Sequence, residues 1–274
     1  MLPAFSWLPF GSWAPQCQSC RGCDAYDDGR SLRNSIEGEA MTDQPLALTV
    51  EQGLSTEQDL LAAVCRGERD NGVLFWRPID QALVMPRRMS RLEHFEAASS
   101  QLAGTGWPVL LRETGGEPVP QSHSTVNIAL VYAAPRSEGD QGRIEKAYQR
   151  LCLPLCEVLQ AWGGVASVGE IEGAFCDGRY NVNLNGRKLV GTAQRWRQSA
   201  AGKGPVVLVH GALLLDNDRE AMVAAVNHFN TCCNLEQRCR PDAHIALHEV
   251  VPAAPWFAQL SQAYAQVLAE VPIS

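Results

Sequence analysis

Residues 171–197 read IEGAFCDGRYNVNLNGRKLVGTAQRWR, and the fold follows from how this stretch is read. Asn185-Gly186 is a dipeptide favoured in the tight type I′ turn between two antiparallel strands. Before it, Tyr180, Val182 and Leu184 alternate with Asn181, Asn183 and Asn185, the period of a half-buried strand. Cys176 precedes that strand in a turn, and Lys188 follows just after the bend. Gly191 permits another backbone or a ligand to approach closely. One hairpin thus brings a candidate nucleophile, Cys176, near a candidate electrophilic clamp, Lys188.

Two further signals flank the hairpin. Upstream, the strand pattern of 107–111 runs through Arg112 into Thr114-Gly115-Gly116, a bend whose backbone N–H groups are free to meet a carboxylate, phosphate or thioester oxygen. Downstream, 205–215 (PVVLVHGALLL) is an apolar strand interrupted by His210-Gly211. A lone histidine in such a run reads first as a core residue with a hydrogen-bond partner.

The remaining periodicities give helices from Ser55-Thr56-Glu57, over 91–102, over 143–162 with a kink at Pro154, over 216–229 capped by Asp216 or Asn217, and over 255–268. Strands are expected at 73–76, 82–85, 126–132 and 165–168. Cys152 and Cys156 lie four apart on one helix and read as core filling.

The hairpin run Gly186-Arg187-Lys188-Leu189-Val190-Gly191-Thr192-Ala193-Gln194-Arg195 resembles the lipoate/octanoate attachment superfamily of ligases and octanoyltransferases, whose hairpin reads G-[RK]-K-x-[ASV]-G-x-[AS]-Q-R. Arg112, Thr114, Gly115, Gly116, Val119 and Asn127 fit the family's glycine-loop pattern. Leu111, Glu117 and Gln121 replace its first arginine, third glycine and histidine, and a negative Glu117 weakens an adenylate-forming reading. His210-Gly211 fits the family's H-G-[ST]-[IL]-L. Cys176-Asp177-Gly178-Arg179-Tyr180-Asn181-Val182 resembles the C-x-G-x-Y-[DN]-[LV] segment of the cysteine-dependent amidotransferase branch.

The resemblance implies an α+β fold: a biotin/lipoate protein ligase-like catalytic module, a mixed, largely antiparallel sheet flanked by helices. It implies Cys176 and Lys188 as catalytic, with Arg112, Thr114, Gly115, Gly116, Asn127, Gly191, His210 and Gly211 binding substrate. The implied activity is protein lipoylation, an octanoyl or lipoyl group passing through a Cys176 thioester to a lysine of a lipoyl-domain protein. The glycine cleavage H protein or 2-oxoacid dehydrogenase subunits are the implied acceptors, with acyl carrier protein as a further partner. No cofactor or metal is required in this reading. Thiolate formation at Cys176 is expected to draw on Lys188 and Arg179 against Asp177. Two alternatives stand beside it: an ATP- and Mg-dependent lipoate–protein ligase working via lipoyl-AMP, and a non-catalytic paralogue that binds lipoate or a lipoyl domain. Ligases usually carry an additional small domain, and the 59 residues after 215 leave little room for one.

Composition agrees with a core of this size: 274 residues, 46% hydrophobic. A net charge of −7 argues against a general nucleic-acid binder, and no apolar run reaches the length of a bilayer span. Ten irregularly spaced cysteines favour reduced thiols and a cytoplasmic location. Residues 1–40 differ from the rest. They are expected to be a poorly packed extension, with Met41 as the true start and the catalytic domain over 41–274. Cys17, Cys20 and Cys23 form C-x₂-C-x₂-C there without a sensible fourth ligand, so no metal is assigned.

Overall fold

The computed structural model of the chain describes residues 44–271 apart from 201, 203 and 252–254. The expected extension over 1–40 lies outside them. Ten strands and five α-helices follow in the order β1 (Leu46–Leu48), α1 (Val50–Arg66), β2 (Asn71–Pro78), β3 (Ala82–Pro86), α2 (Phe95–Gly104), β4 (Val109–Arg112), β5 (Val119–Gln121), β6 (Thr125–Ala133), α3 (Gly139–Ala161), β7 (Ala166–Val168), β8 (Val182–Leu184), β9 (Arg187–Gln198), β10 (Pro205–Leu214), α4 (Arg219–Cys232) and α5 (Trp256–Glu270).

Seven strands form one sheet in the order β1-β2-β6-β10-β9-β8-β7, and three form a second, β4-β3-β5. Only β1–β2 and β3–β4 pair in parallel, so the α+β, largely antiparallel architecture is what the chain adopts. Among the described residues no helix is long and apolar enough to cross a membrane.

Both faces of the large sheet are covered, which is why β6 and β10 read as continuous apolar runs rather than as alternating ones. Along β6, Ile128, Leu130 and Tyr132 join the core shared with Leu151 and Leu155 of α3 and Leu260 and Tyr264 of α5. Ala129, Val131 and Ala133 point the other way, into a core with Leu61 and Val64 of α1. β10 divides likewise: Val207 and Val209 face α3, Val206 and Leu208 face α1. The strand period of two then carries His210 to the α1 side. The small sheet packs with α2 and α4 through Leu83, Met85, Leu102 and Phe229.

Three details depart from the sequence reading. Helix α1 starts at Val50, ahead of Ser55, because Thr49 and Gln52 form a reciprocal capping box. Helix α4 begins after Asp218, not after Asp216 or Asn217. Asp216 is instead engaged with Arg77 (2.9 Å) and His248 (2.7 Å). The third concerns the central hairpin. Its turn is as expected, Asn185 (φ 52°) and Gly186 (φ 74°) both taking the positive φ that a type I′ turn requires. Its first strand, however, is buried on both faces, since Asn181 and Asn183 are as enclosed as Val182 and Leu184. Their amide N–H groups donate to the carbonyls of Cys176 (3.2 Å) and Gly169 (3.1 Å), which satisfies donors that would otherwise oppose burial, while Asn183 Oδ1 is buried with no hydrogen-bond partner among the described residues.

Candidate active site

Lys188 opposes Asn183 across the hairpin and is 2% exposed. Its ammonium donates to the carbonyls of Phe175 (2.5 Å) and Cys176 (2.7 Å) and lies 5.3 Å from the centre of the Phe175 ring. Burial pulls its pKa down, while Cys176 and Asp177 push it back up. An added Cβ at Gly191 would lie 3.2 Å from Nζ, so glycine leaves the ammonium its place.

His244 braces the same turn from behind. It is 1% exposed and stacks on Phe175 at 4.1 Å between ring centres. Its Nε2 accepts the Phe175 N–H (3.1 Å), and its Nδ1–H donates to the Arg240 carbonyl (3.0 Å), which fixes the neutral tautomer. Burial, with Lys188 adding to it, lowers its pKa to about 4. So held, Cys176 takes a left-handed conformation (φ 49°), uncommon for a residue with a side chain.

The Cys176 sulfur turns towards the diglycine bend. The Glu117 N–H donates to Sγ at 3.2 Å. At Gly116 (φ 98°), a Cβ would sit 2.9 Å from Sγ and 3.0 Å from Nη2 of Arg112, so the bend closes on the sulfur only because glycine occupies that position. Arg112, 7% exposed, binds the carbonyls of Val84, Gly115 and Glu117, each at 2.8 Å. Burial lowers its pKa, opposed by Cys176 and Glu57. The guanidinium beside the thiol is therefore that of Arg112. Arg179, expected in that role, lies over the Tyr180 ring at 5.7 Å, and Asp177 accepts the Ile171 N–H (2.7 Å). The amide reaching the sulfur belongs to Glu117, the residue that replaces the family's third glycine. Its carboxylate turns away to Gln237 (3.0 Å).

Two connected hollows lie in front of the bend. An open cleft of about 390 Å³ is bordered by Arg87, Glu113, Thr114 and Arg197 among others. A narrow slot of about 30 Å³ reaches Cys176 between Val84, Val119, Ala193 and Ala212. Leu54, Glu57, Arg112 and His210 border both. Asn127 and Gly191 line the slot, where Asn127 forms a reciprocal amide pair with Gln121 (2.9 and 3.0 Å). The glutamine that replaces the family's histidine thus completes a buried pair. Gly211 borders neither hollow; it packs under Val190, 2.8 Å from where its Cβ would be.

His210 sits where cleft and slot meet. Its Nδ1–H donates to Glu57 Oε2 (2.7 Å), and its Nε2 accepts the Thr114 hydroxyl (3.0 Å). Trp76 donates to the other Glu57 oxygen (2.9 Å). Sequence reasoning missed His244 behind the turn and, at this junction, Glu57. Its position is legible afterwards: Val50, Glu57, Leu61 and Val64 share the buried stripe of α1, and a carboxylate on such a stripe demands a partner.

A model of the lipoyl protein ligase A/B catalytic domain matches residues 49–265. An uncharacterized protein of Cupriavidus necator is 30% identical over 237 residues, 80% of this chain and 92% of the relative. An octanoyl-[GcvH]:protein N-octanoyltransferase of Kyrpidia tusciae is 35% identical over 147 residues, 52% of this chain; the match spans half the length of that transferase. Among solved structures, lipoate-protein ligase A bound with ATP superposes with a TM-score of 0.58 at 14% identity, covering 83% of this chain and 85% of the other, a likeness of fold.

Proposed function

The chain belongs to the lipoyl protein ligase A/B catalytic-domain family, and from that premise we propose that it moves an octanoyl or lipoyl group to a lysine of a lipoyl-domain protein through a thioester on Cys176. The observation that carries this reading is the setting of the sulfur, with an amide N–H at 3.2 Å, a guanidinium behind the bend and a slot leading out to an open cleft. A thiolate is the attacking form, and a hydrogen-bond donor with a nearby cation favours it.

Each residue then has a task. The Cys176 thiolate attacks the donor's acyl carbonyl, and the donor's thiol or amine leaves. The Glu117 N–H and Arg112 stabilise first the thiolate and then, after acylation, the sulfur expelled by the acceptor amine. Lys188 holds the turn through two carbonyls, so the sulfur stays aimed at the bend. The acyl chain is placed between the apolar walls of the slot, Val84, Val119, Ala193 and Ala212. Their closing on the chain contributes roughly 0.8 kcal/mol per buried CH₂. The relatives' names point to a GcvH-type protein as a partner. No ATP enters this route.

Intact-mass measurement after mixing with octanoyl-loaded GcvH-type protein tests it. Wild type is expected to gain one octanoyl group, and Cys176→Ser to gain none while losing transfer by at least about a thousandfold. Pyrophosphate release on supplying lipoate, ATP and an acceptor, with no adduct on Cys176, would replace the transferase reading with the ligase one.

A further inference from the structure

The chain Thr114–His210–Glu57–Trp76 is longer and better ordered than substrate lining requires. A hydroxyl, an imidazole and a carboxylate stand in series at 3.0 and 2.7 Å, and the carboxylate's second oxygen is fixed by the indole N–H at 2.9 Å. Glu57 is 1% exposed and Thr114 is 3% exposed. Such a series is the arrangement by which a buried carboxylate holds an imidazole in one tautomer and stabilises its protonated form.

Its place matters as much as its order. His210 and Glu57 border both the open cleft and the slot that ends at Cys176, while Thr114 faces the cleft two residues before Gly116. Anything that enters by the cleft and reaches the sulfur passes the imidazole. Lys188 cannot serve that traveller: two of its three N–H bonds are given to Phe175 and Cys176 carbonyls on the far side of the turn.

The substrate of the second half-reaction is a lysine, which arrives as an ammonium and attacks only as a free amine. We infer that His210, acting directly or across the Thr114 hydroxyl, is the proton acceptor for the incoming lysine, and that Glu57 is the positioning residue that holds it. This rests on the acyl-transfer reading above. The ammonium sheds two protons on becoming an amide N–H. The first passes to His210 Nε2, through Thr114 Oγ1 if the hydroxyl relays it. The amine then attacks the thioester carbon, the C–N bond forms, and the C–S bond breaks with its electron pair on sulfur. The second proton neutralises that thiolate, and His210 returns the first to solvent through the cleft.

The test separates loading from transfer. Full-length wild type, His210→Gln and Glu57→Gln are charged with the octanoyl thioester of acyl carrier protein, whose sulfur leaves without needing a proton, desalted, and mixed with a lipoyl-domain acceptor across a range of pH, with acyl loss from Cys176 followed by intact mass. Once loaded, His210→Gln is expected to transfer about a hundredfold more slowly. Glu57→Gln is expected to transfer about tenfold more slowly, with the acidic limb of its pH–rate profile moved to lower pH. Hydroxylamine is already neutral at pH 7 and needs no proton acceptor, so it is expected to discharge all three acyl-enzymes alike. Wild-type transfer rates in both variants, or a hydroxylamine reaction slowed as much as the lysine reaction, would overturn the assignment. So would failure of both variants to load. If wild type takes no acyl group from this thioester or from octanoyl-GcvH, the thioester reading falls and this inference with it.

Discussion

The turn that carries Cys176 and the bend that faces it are each held by a buried cation gathering backbone carbonyls, yet the two cations are placed differently. Lys188 binds Phe175 and Cys176 from inside, bordering a small void it shares with Phe175 and His244. Arg112 binds Val84, Gly115 and Glu117 and still borders both the cleft and the slot. An ammonium donates in three rotatable directions and can be wholly enclosed by carbonyls. A planar guanidinium has five N–H bonds and can brace a loop while presenting an edge to a substrate. On the function proposed above this is a division of labour: the turn side is built for position, the bend side for contact with the reacting group.

Substitutions on the two sides should therefore fail in different ways. The largest expected effect is on the turn side. Lys188→Met leaves the Phe175 and Cys176 carbonyls without their charged donor and should destabilise the fold by roughly 3–5 kcal/mol in denaturant unfolding. If Lys188→Met unfolds like wild type, the turn does not depend on the ammonium and the division fails.

The next effect is a pH dependence, again on the turn side. His244 has a folded pKa of about 4 against an ordinary 6.5, so between those values the unfolded chain binds the proton more readily than the folded one. Its contribution is fully present above about pH 6.5 and is lost as pH falls towards 4, amounting to as much as about 3 kcal/mol. Unfolding curves of wild type and His244→Asn at pH 7 and pH 4.5 check this. The variant should show a flatter dependence, and parallel slopes would remove His244 from the brace.

The smallest effect on stability is expected on the bend side. Gly116→Ala puts a Cβ against Sγ and the Arg112 guanidinium at a positive φ, at a cost of about 1–2 kcal/mol. Acyl loading, read by intact mass, should nevertheless fall by at least about tenfold, because the new methyl group lies where the Glu117 N–H and Arg112 meet the sulfur. Normal loading in Gly116→Ala would show that the bend is scaffold and not contact.

What was legible in the sequence divides along a related line. The hairpin could be read because its information is local: Asn185-Gly186 names its own turn, and Lys188 and Gly191 are fixed relative to it by strand geometry. The thiol and the diglycine bend were also visible as motifs. Their closeness was not, since it depends on a left-handed Cys176 that no propensity announces. Glu57 and His210 are 153 residues apart, and only the packing of α1 on β10 joins them. Asn181 and Asn183 looked solvent-facing because asparagine usually is. The carbonyls of Cys176 and Gly169 that make their burial tolerable come from the irregular segment before β8, which has no period to read. Arg179 was the nearest cation in sequence to Cys176, and Arg112 is the one beside it in space.

The backbone at Cys176 carries one more implication. A left-handed φ is comfortable for glycine and costs a residue with a side chain roughly 1–2 kcal/mol. Asn181, Lys188 and His244 are what keep the chain from relaxing out of it. The easiest way for mutation to relieve this turn is to put glycine at position 176, which removes the strain and the proposed nucleophile together. Any drift towards a calmer backbone here would leave a folded protein without its thiol.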